Sequence, residues 1–349
     1  MEDRLTARPM LLKQANLSLV RKTIRDKNTA TRAEIAQETR ISSTTVRALL
    51  SEMMQNGEIE SIGFDESSGG RKAERYRFRP DRYYGAALCM EGTKIYGLLV
   101  NTCGEITDTT ELDIADRDIQ EVITSFLDGL LKEKEIRAIG IGVPGIVEGG
   151  SYWKKSIHGD EWFKSDLGDI LSERYHIPVV LENNLNATAI GFGRCYLREF
   201  PEEKMEDTNM AYIHLEKGCV SAGFIAGGRI IRGCHNFAGE LGLIYMEDGR
   251  LLEEWMNGAE DDVQYTAAVT RMISWICGIL NPRYIALGGP GVRRDCIGPV
   301  SDSLYSLLPR NMFAEILYSP DVLHDYQDGM AYLTAGRMFD DVQFTKEIY

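Results

Sequence analysis

Residues 42–47 read Ser-Ser-Thr-Thr-Val-Arg, four hydroxyls and a guanidinium in one short run. Hydroxyls donate and accept hydrogen bonds, and a guanidinium offers a planar fork of donors. That is the chemistry of reading base edges in a DNA major groove. Ser42, Ser43, Thr44, Thr45 and Arg47 are the candidate readers. A second group follows in Arg71, Lys72, Arg75 and Arg77, with Arg32 upstream. Cations spaced along a strand suit contacts to phosphates, which position a protein without reading sequence.

The surrounding elements must hold these groups in place. Leu17, Val20 and Ile24 recur at helical spacing and predict a helix from Asn16 to Lys27. Thr31 and Glu34 form a capping box that opens a short second helix with Ile35 and Ala36 inward. Ile41 plugs the following turn, and Ser42 is placed to cap a third helix reaching about Gln55. Val46, Leu49, Leu50 and Met53 make that helix's apolar stripe. Asn56-Gly57 stops it. A hairpin follows, with strands Ile59–Phe64 and Lys72–Arg79 around a loose Asp65–Gly70 turn. Tyr76 and Phe78 alternate with Arg75, Arg77 and Arg79, giving one apolar and one basic face. In this order the elements predict a winged helix-turn-helix that binds double-stranded DNA. The plainer alternative is an ordinary helical subdomain. Arg40 stands where a Gly often sits, which predicts a looser or left-handed turn.

Charge divides the chain in two. Residues 1–80 carry 15 Lys+Arg against 11 Asp+Glu, a net of +4. The whole chain carries 39 against 53, so residues 81–349 carry 24 against 42, a net of −18. An acidic body repels DNA and is not expected to wrap it. The start of the chain lacks the pattern of a signal peptide. No window approaches the roughly 20 apolar residues of a membrane span. Seven scattered cysteines without a C-x-x-C pair read as reduced, mostly buried thiols. The expected location is therefore cytoplasmic.

The body reads as α/β in two similar halves. Tyr83–Met90, Lys94–Val100 and Glu105–Leu112 predict a meander. The run Ile119, Val122, Ile123, Phe126, Leu127, Leu130 and Leu131 predicts an amphipathic helix. Strands follow at Ile136–Val143 and Pro178–Leu181, with a helix opening near Asn183. The second half repeats the theme, with a meander over Met210–Leu215, Val220–Ile225 and Arg229–Ile231. A helix ends near Leu280, and a strand reaches Leu287. Duplication with a cleft between lobes suits a ligand. The expected domains are 1–80, 81–200 and 201–349, with the C-terminal helix free to return to the first lobe.

Several segments carry a resemblance. They are Ser68-Gly69-Gly70-Arg71-Lys72, residues 139–145 (IGIGVPG), 181–187 (LENNLNA), 232–242 (RGCHNFAGELG), and Asn281-Pro282 with residues 285–289 (IALGG). Together they resemble the ROK family of repressors and sugar kinases. The resemblance implies a winged helix joined to a duplicated actin-like, ribonuclease-H-like fold, and a homodimer or homotetramer. It also implies sugar-contacting roles for Asn183, Asn184, Glu240 and Glu253. Departures from the family set the function. Asn184 replaces the Asp that serves the kinases as base, and an amide cannot take that proton. Cys89 and Glu91 alter the first phosphate turn, and residues 217–223 (KGCVSAG) lack the alternating glycines of the second. Leu243 replaces the zinc-binding His, and no Cys lies between Cys234 and Cys277. No metal or cofactor is expected, and Cys234-His235 reads as a packed loop. Residues 258–281 also look shortened. The expected function is a transcriptional regulator, as a repressor, controlled by a sugar or sugar-phosphate effector. The alternatives are a sugar kinase with an appended DNA reader, or a regulator whose ligand site is vestigial.

Overall fold

Helix formation at the N-terminus runs further than the apolar spacing requires. Helix α1 spans Asp3–Asp26 rather than beginning at Asn16. Only from Leu17 does it pack, with Leu17, Val20 and Ile24 buried, while Met10, Leu11 and Leu12 stay exposed. Upstream of Leu17 the helix continues through Pro9. This computed structural model describes residues 3–65, 72–115, 117–155, 161–200, 202–306, 309 and 312–339.

Strand β1 (Thr29–Thr31), helices α2 (Arg32–Thr39) and α3 (Ser43–Gln55), and strands β2 (Ile59–Phe64) and β3 (Glu74–Phe78) complete the N-terminal unit. Its sheet has the order β1-β3-β2. Both expected caps form. Glu34 N–H donates to Thr31 Oγ1 at 3.3 Å, and Thr31 N–H to Glu34 Oε2 at 2.7 Å. Thr45 N–H donates to Ser42 Oγ at 3.2 Å. Arg40 adopts φ 57°, the left-handed turn that its position predicts. Strand β1 is absent from the sequence reading, because three residues carry no periodicity to detect.

The body follows in two sheets of identical order. In the first half run β4 (Tyr84–Glu91), β5 (Lys94–Asn101), β6 (Ile106–Asp113), α4 (Ile119–Glu133) and β7 (Ile136–Val143). A small sheet of β8 (Ile146–Glu148), β9 (Ser151–Lys155) and β10 (Trp162–Ser165) follows, then α5 (Leu167–Tyr175), β11 (Val179–Asn183) and α6 (Asn184–Leu197). The second half holds β12 (Met210–Glu216), β13 (Cys219–Ala226), β14 (Arg229–Ile230), α7 (Leu252–Asn257) and α8 (Asp262–Leu280). It ends with β15 (Tyr284–Gly288), α9 (Ile297–Tyr305), β16 (Glu315–Tyr318) and α10 (Val322–Ala335). The sheets are β11-β7-β4-β5-β6 and β14-β13-β12-β15-β16. Each is an antiparallel meander extended by two parallel strands.

Central strands β4 and β12 are buried on both faces. Ala86 and Leu88 join a core with Ile123 and Leu127 of α4, while Ala87 and Cys89 join Met330 and Ala331 of α10. Likewise Ala211 and Ile213 face α8, while Met210 and Tyr212 face α6. The lobes thus exchange helices: α6 covers β12 and β13 of the second sheet, and α10 covers β4 and β7 of the first. The thiols are less buried than expected. Only Cys89 and Cys296 are buried, because most of the others lie near element ends.

Helices α6 and α10 cross backbone to backbone. A Cβ on Gly191 would overlap the Asp325 carbonyl oxygen, and one on Gly329 the Ala187 carbonyl oxygen. A Cβ on Gly278 of α8 meets nothing within 4 Å. Gly329→Ala is therefore expected to lower the free energy of urea unfolding by about 3 kcal/mol. Gly278→Ala should raise it by about 0.5–1 kcal/mol through helix preference. Equal effects of the two would refute the crossing.

Candidate functional site

Two regions concentrate polar chemistry. The first is the groove between the start of α3 and the β2–β3 hairpin. Arg32, Ser43, Arg47 and Lys72 line it together, with Phe64 and Tyr76. Arg32, Ser43, Thr44, Arg47 and Lys72 are exposed. Arg32, Arg47 and Lys72 make no ion pair with the described residues. They are free to meet an anion.

The other predicted contacts do different work. Ser42 caps α3, and its hydroxyl lies 2.8 Å from that of Thr45, so each occupies the other. Arg75 is spent inside the fold. Its guanidinium donates to Asp65 through Nε and Nη2 at 2.8 Å each, and to Glu34 at 3.2 and 3.3 Å. These carboxylates hold it charged and tie the hairpin to the capping box of α2. Its predicted basic face is thus partly neutralised from within. Arg77 is exposed and pairs with Glu60 across the strands at 2.5 Å. A surface pair of that kind is weak enough to exchange for a phosphate. Arg71 lies outside the described residues.

The second region is a cavity of about 540 Å3 between the lobes. Hairpin turns from the two halves face into it. Glu91-Gly92 ends β4, and Glu216 ends β12. Gly92 and Gly218 take φ of 58° and 77° in these turns, where glycine costs least. Asn184, His214, Glu240 and Tyr326 are among its other polar lining residues. Its carboxylates are Glu91, Glu216 and Glu240, and no Lys or Arg is among the lining residues. Burial pushes the carboxyl groups of Glu91 and Glu240 above the usual range, and Glu253 adds to the effect on Glu240. Such a lining disfavours phosphate.

Asn183 lines this cavity but is committed locally. Its Oδ1 accepts from the amides of Leu185 and Asn186 at 2.9 and 3.1 Å, and its Nδ2 donates to Gly145 O at 2.9 Å. It caps α6. Asn184 beside it makes no such side-chain bond and is open to a ligand. Glu253 does not line the cavity: it sits in α7 behind Gly242. Leu243 is 44% exposed, and Cys234 and His235 are exposed rather than packed. Their loop runs between β14 and α7, and it is Leu241 and Met246 further along it that enter the core.

Glu182 is a residue that sequence reasoning missed. It is 2% exposed, accepts from Asn186 Nδ2 at 2.9 Å, and pairs with Arg232 from the other half of the body. A carboxylate just before the 183–184 pair was the available signal. Its partner, 50 positions away, was not legible.

Tertiary contacts also join the N-terminal unit to the body. Phe339, just past α10, packs against both the N-terminal core and the α10 core. Arg21 stacks over its ring at 4.0 Å and pairs with buried Glu58 at 2.8 Å. Tyr83 meets the same ring edge-on at 6.1 Å. The other end of α10 contributes Val322, Leu323 and Tyr326 to the interlobe cavity. Helix α10, about 20 Å long, and the residues just past it thus join the cavity to the core of the N-terminal unit.

Among described residues, no helix is long and apolar enough to cross a membrane. Comparison with known proteins places this arrangement. Residues 86–259 match the ROK family model. A putative xylose repressor from Caldicellulosiruptor sp. (strain Rt8B.4) is 30% identical over 244 residues, which is 66% of this chain and 59% of that protein. A glucokinase from Halalkalibacterium halodurans is 30% identical over 173 residues, 47% of this chain and 50% of that enzyme. The chain thus spans about 60% of the length of the curated repressors it matches. A solved ROK family transcriptional regulator, a homologue of the E. coli MLC protein, superposes with a TM-score of 0.73 at 17% identity. The match covers 94% of this chain and 98% of that one, and it shares the mixed α/β fold. By the family model, the repressor similarity and this fold, the chain belongs to the ROK family.

Proposed function

We propose that the chain is a DNA-binding transcriptional regulator, acting as a repressor, whose output is a winged helix-turn-helix and whose input is a small molecule in the interlobe cavity. The observation that carries this reading is the groove: Arg32, Arg47 and Lys72, without an ion pair among the described residues, beside exposed Ser43 and Thr44 at the start of a capped helix. Helix α3 reads the major groove from its N-terminal end. Lys72, with Arg77 after exchange from Glu60, contacts the backbone. The acidic body supplies no competing DNA surface. An operator with two half-sites would need two such heads, so a homodimer is part of the proposal.

The effector is inferred to be a neutral sugar rather than a sugar phosphate. Glu91, Glu216 and Glu240 line the cavity without a cation to offset a phosphate. Asn184 offers both donor and acceptor to a ring hydroxyl. Regulation requires that the ligand favour one arrangement of the lobes over another. Helix α10 is the element placed to carry that difference, from Tyr326 at the cavity to Phe339 at the head.

The glucokinase relative and the shared cleft favour a kinase as the second reading. Against it stand Asn184, which cannot serve as base, and Glu91, where phosphate would lie.

Four tests separate these readings. Arg47→Ala should cost about 1–3 kcal/mol of discrimination at one base pair, whereas Lys72→Ala should weaken all sequences and lower the salt slope by about one. Competition binding against DNA upstream of the chain's own gene measures both. Absence of any salt-sensitive preference for that DNA over random sequence would remove the regulator reading. In a thermal-shift panel, some neutral sugar should raise Tm while sugar phosphates do not. Phe339→Ala should keep that shift and lose the sugar's effect on DNA affinity. Coupled ATP-turnover assays across the panel should stay at background, for the native chain and for Asn184→Asp alike. Turnover above background would favour the kinase.

A further inference from the structure

Asp325 is a buried carboxylate without a cation. It is 6% exposed and takes part in no ion pair among the described residues. The nearby guanidiniums of Arg194 and Arg198 both go to Asp328 instead, at 3.1 and 3.0 Å. Asp325 receives one neutral hydrogen bond, from Ser319 Oγ to its Oδ2 at 2.6 Å. Ser319, 1% exposed, is itself held by the Tyr212 hydroxyl at 3.0 Å. An ionised carboxylate removed from water normally needs a positive partner.

Two further groups converge on it. Cys195, half-buried near the end of α6, and His324, exposed in the first turn of α10, meet Asp325 where the helices cross. One ligand atom from each, the thiol sulfur, a ring nitrogen and a carboxylate oxygen, lie within 4.8 Å of one another. Ligands around a tetrahedral zinc ion sit roughly 3.4–3.6 Å apart, so closure needs a contraction of only about 1 Å. Side-chain rotation can supply that. We propose that Cys195, His324 and Asp325 bind one divalent transition ion of the zinc type, with water in the fourth position, clamping α6 to α10.

The donor set selects the ion. Thiolate with imidazole favours zinc, cobalt and nickel over magnesium or calcium. The Tyr212–Ser319 chain orients the carboxylate as outer hydrogen bonds do in metal sites generally. Exposed His324 gives the ion a path from solvent. Binding displaces the thiol proton to water, and the charge of the dication offsets the thiolate and the Asp325 carboxylate together. The site is separate from the Cys234-His235 loop and from the interlobe cavity, and it does not rest on the proposed effector.

The test uses the full chain, stripped with chelator and reloaded with Co2+ or Zn2+ alone. The expected result is one equivalent per chain, a cobalt spectrum with tetrahedral d–d bands and a thiolate charge-transfer band, and a higher Tm with zinc. Cys195→Ser should abolish the charge-transfer band. Surface substitution His324→Ala should weaken zinc binding at least tenfold while leaving the unliganded Tm unchanged. Cys234→Ser should alter neither. Less than stoichiometric metal, or a charge-transfer band that survives Cys195→Ser, would overturn the proposal.

Discussion

The close crossing of α6 and α10 is the contact on which the body depends. Each helix covers the sheet of the opposite half, so the pair is the seam between the lobes. Side chains at the crossing would hold the helices apart, and only Gly191 and Gly329 allow the backbones to meet. Packed interiors do not deform continuously, so such a seam has few allowed arrangements.

The same seam explains why polar groups collect beside it. Asn183 caps α6 at the cavity, Asp328 gathers Arg194 and Arg198, and Asp325 rests on Ser319 and Tyr212. The small sheet glycines serve it too. A Cβ on Gly140 would overlap Thr334, and one on Gly142 would overlap Tyr326, so α10 lies directly on β7. The IGIGVPG segment thus owes part of its pattern to packing rather than to a ligand.

Electrostatics divides the molecule's labour. The head leaves Arg32, Arg47 and Lys72 without an ion pair among the described residues but uses Arg75 to bind the hairpin to α2. A guanidinium can fill either role, and the outcome depends on whether carboxylates stand within reach. The cavity in the body shows the inverse. Its carboxylates Glu91, Glu216 and Glu240 line it with no Lys or Arg among the lining residues.

Local features were legible in the sequence. The Thr31–Glu34 box, the Ser42 cap, the left-handed Arg40 turn and the stripe of α3 involve residues three or four apart, where chain geometry leaves little choice. That residue 184 carries an amide and not a carboxylate was equally plain, since it is a matter of residue type. Tertiary structure alone decided which polar groups remain available. Arg75 finds Glu34 from 41 positions away, and Glu182 finds Arg232 from 50. Asn183 spends its amide on a cap while Asn184 stays open, and Cys195 meets His324 and Asp325 only because two glycines let helices cross. Periodicity and caps follow from bonds along the chain, whereas charge pairing and site assembly follow from distances that only packing sets.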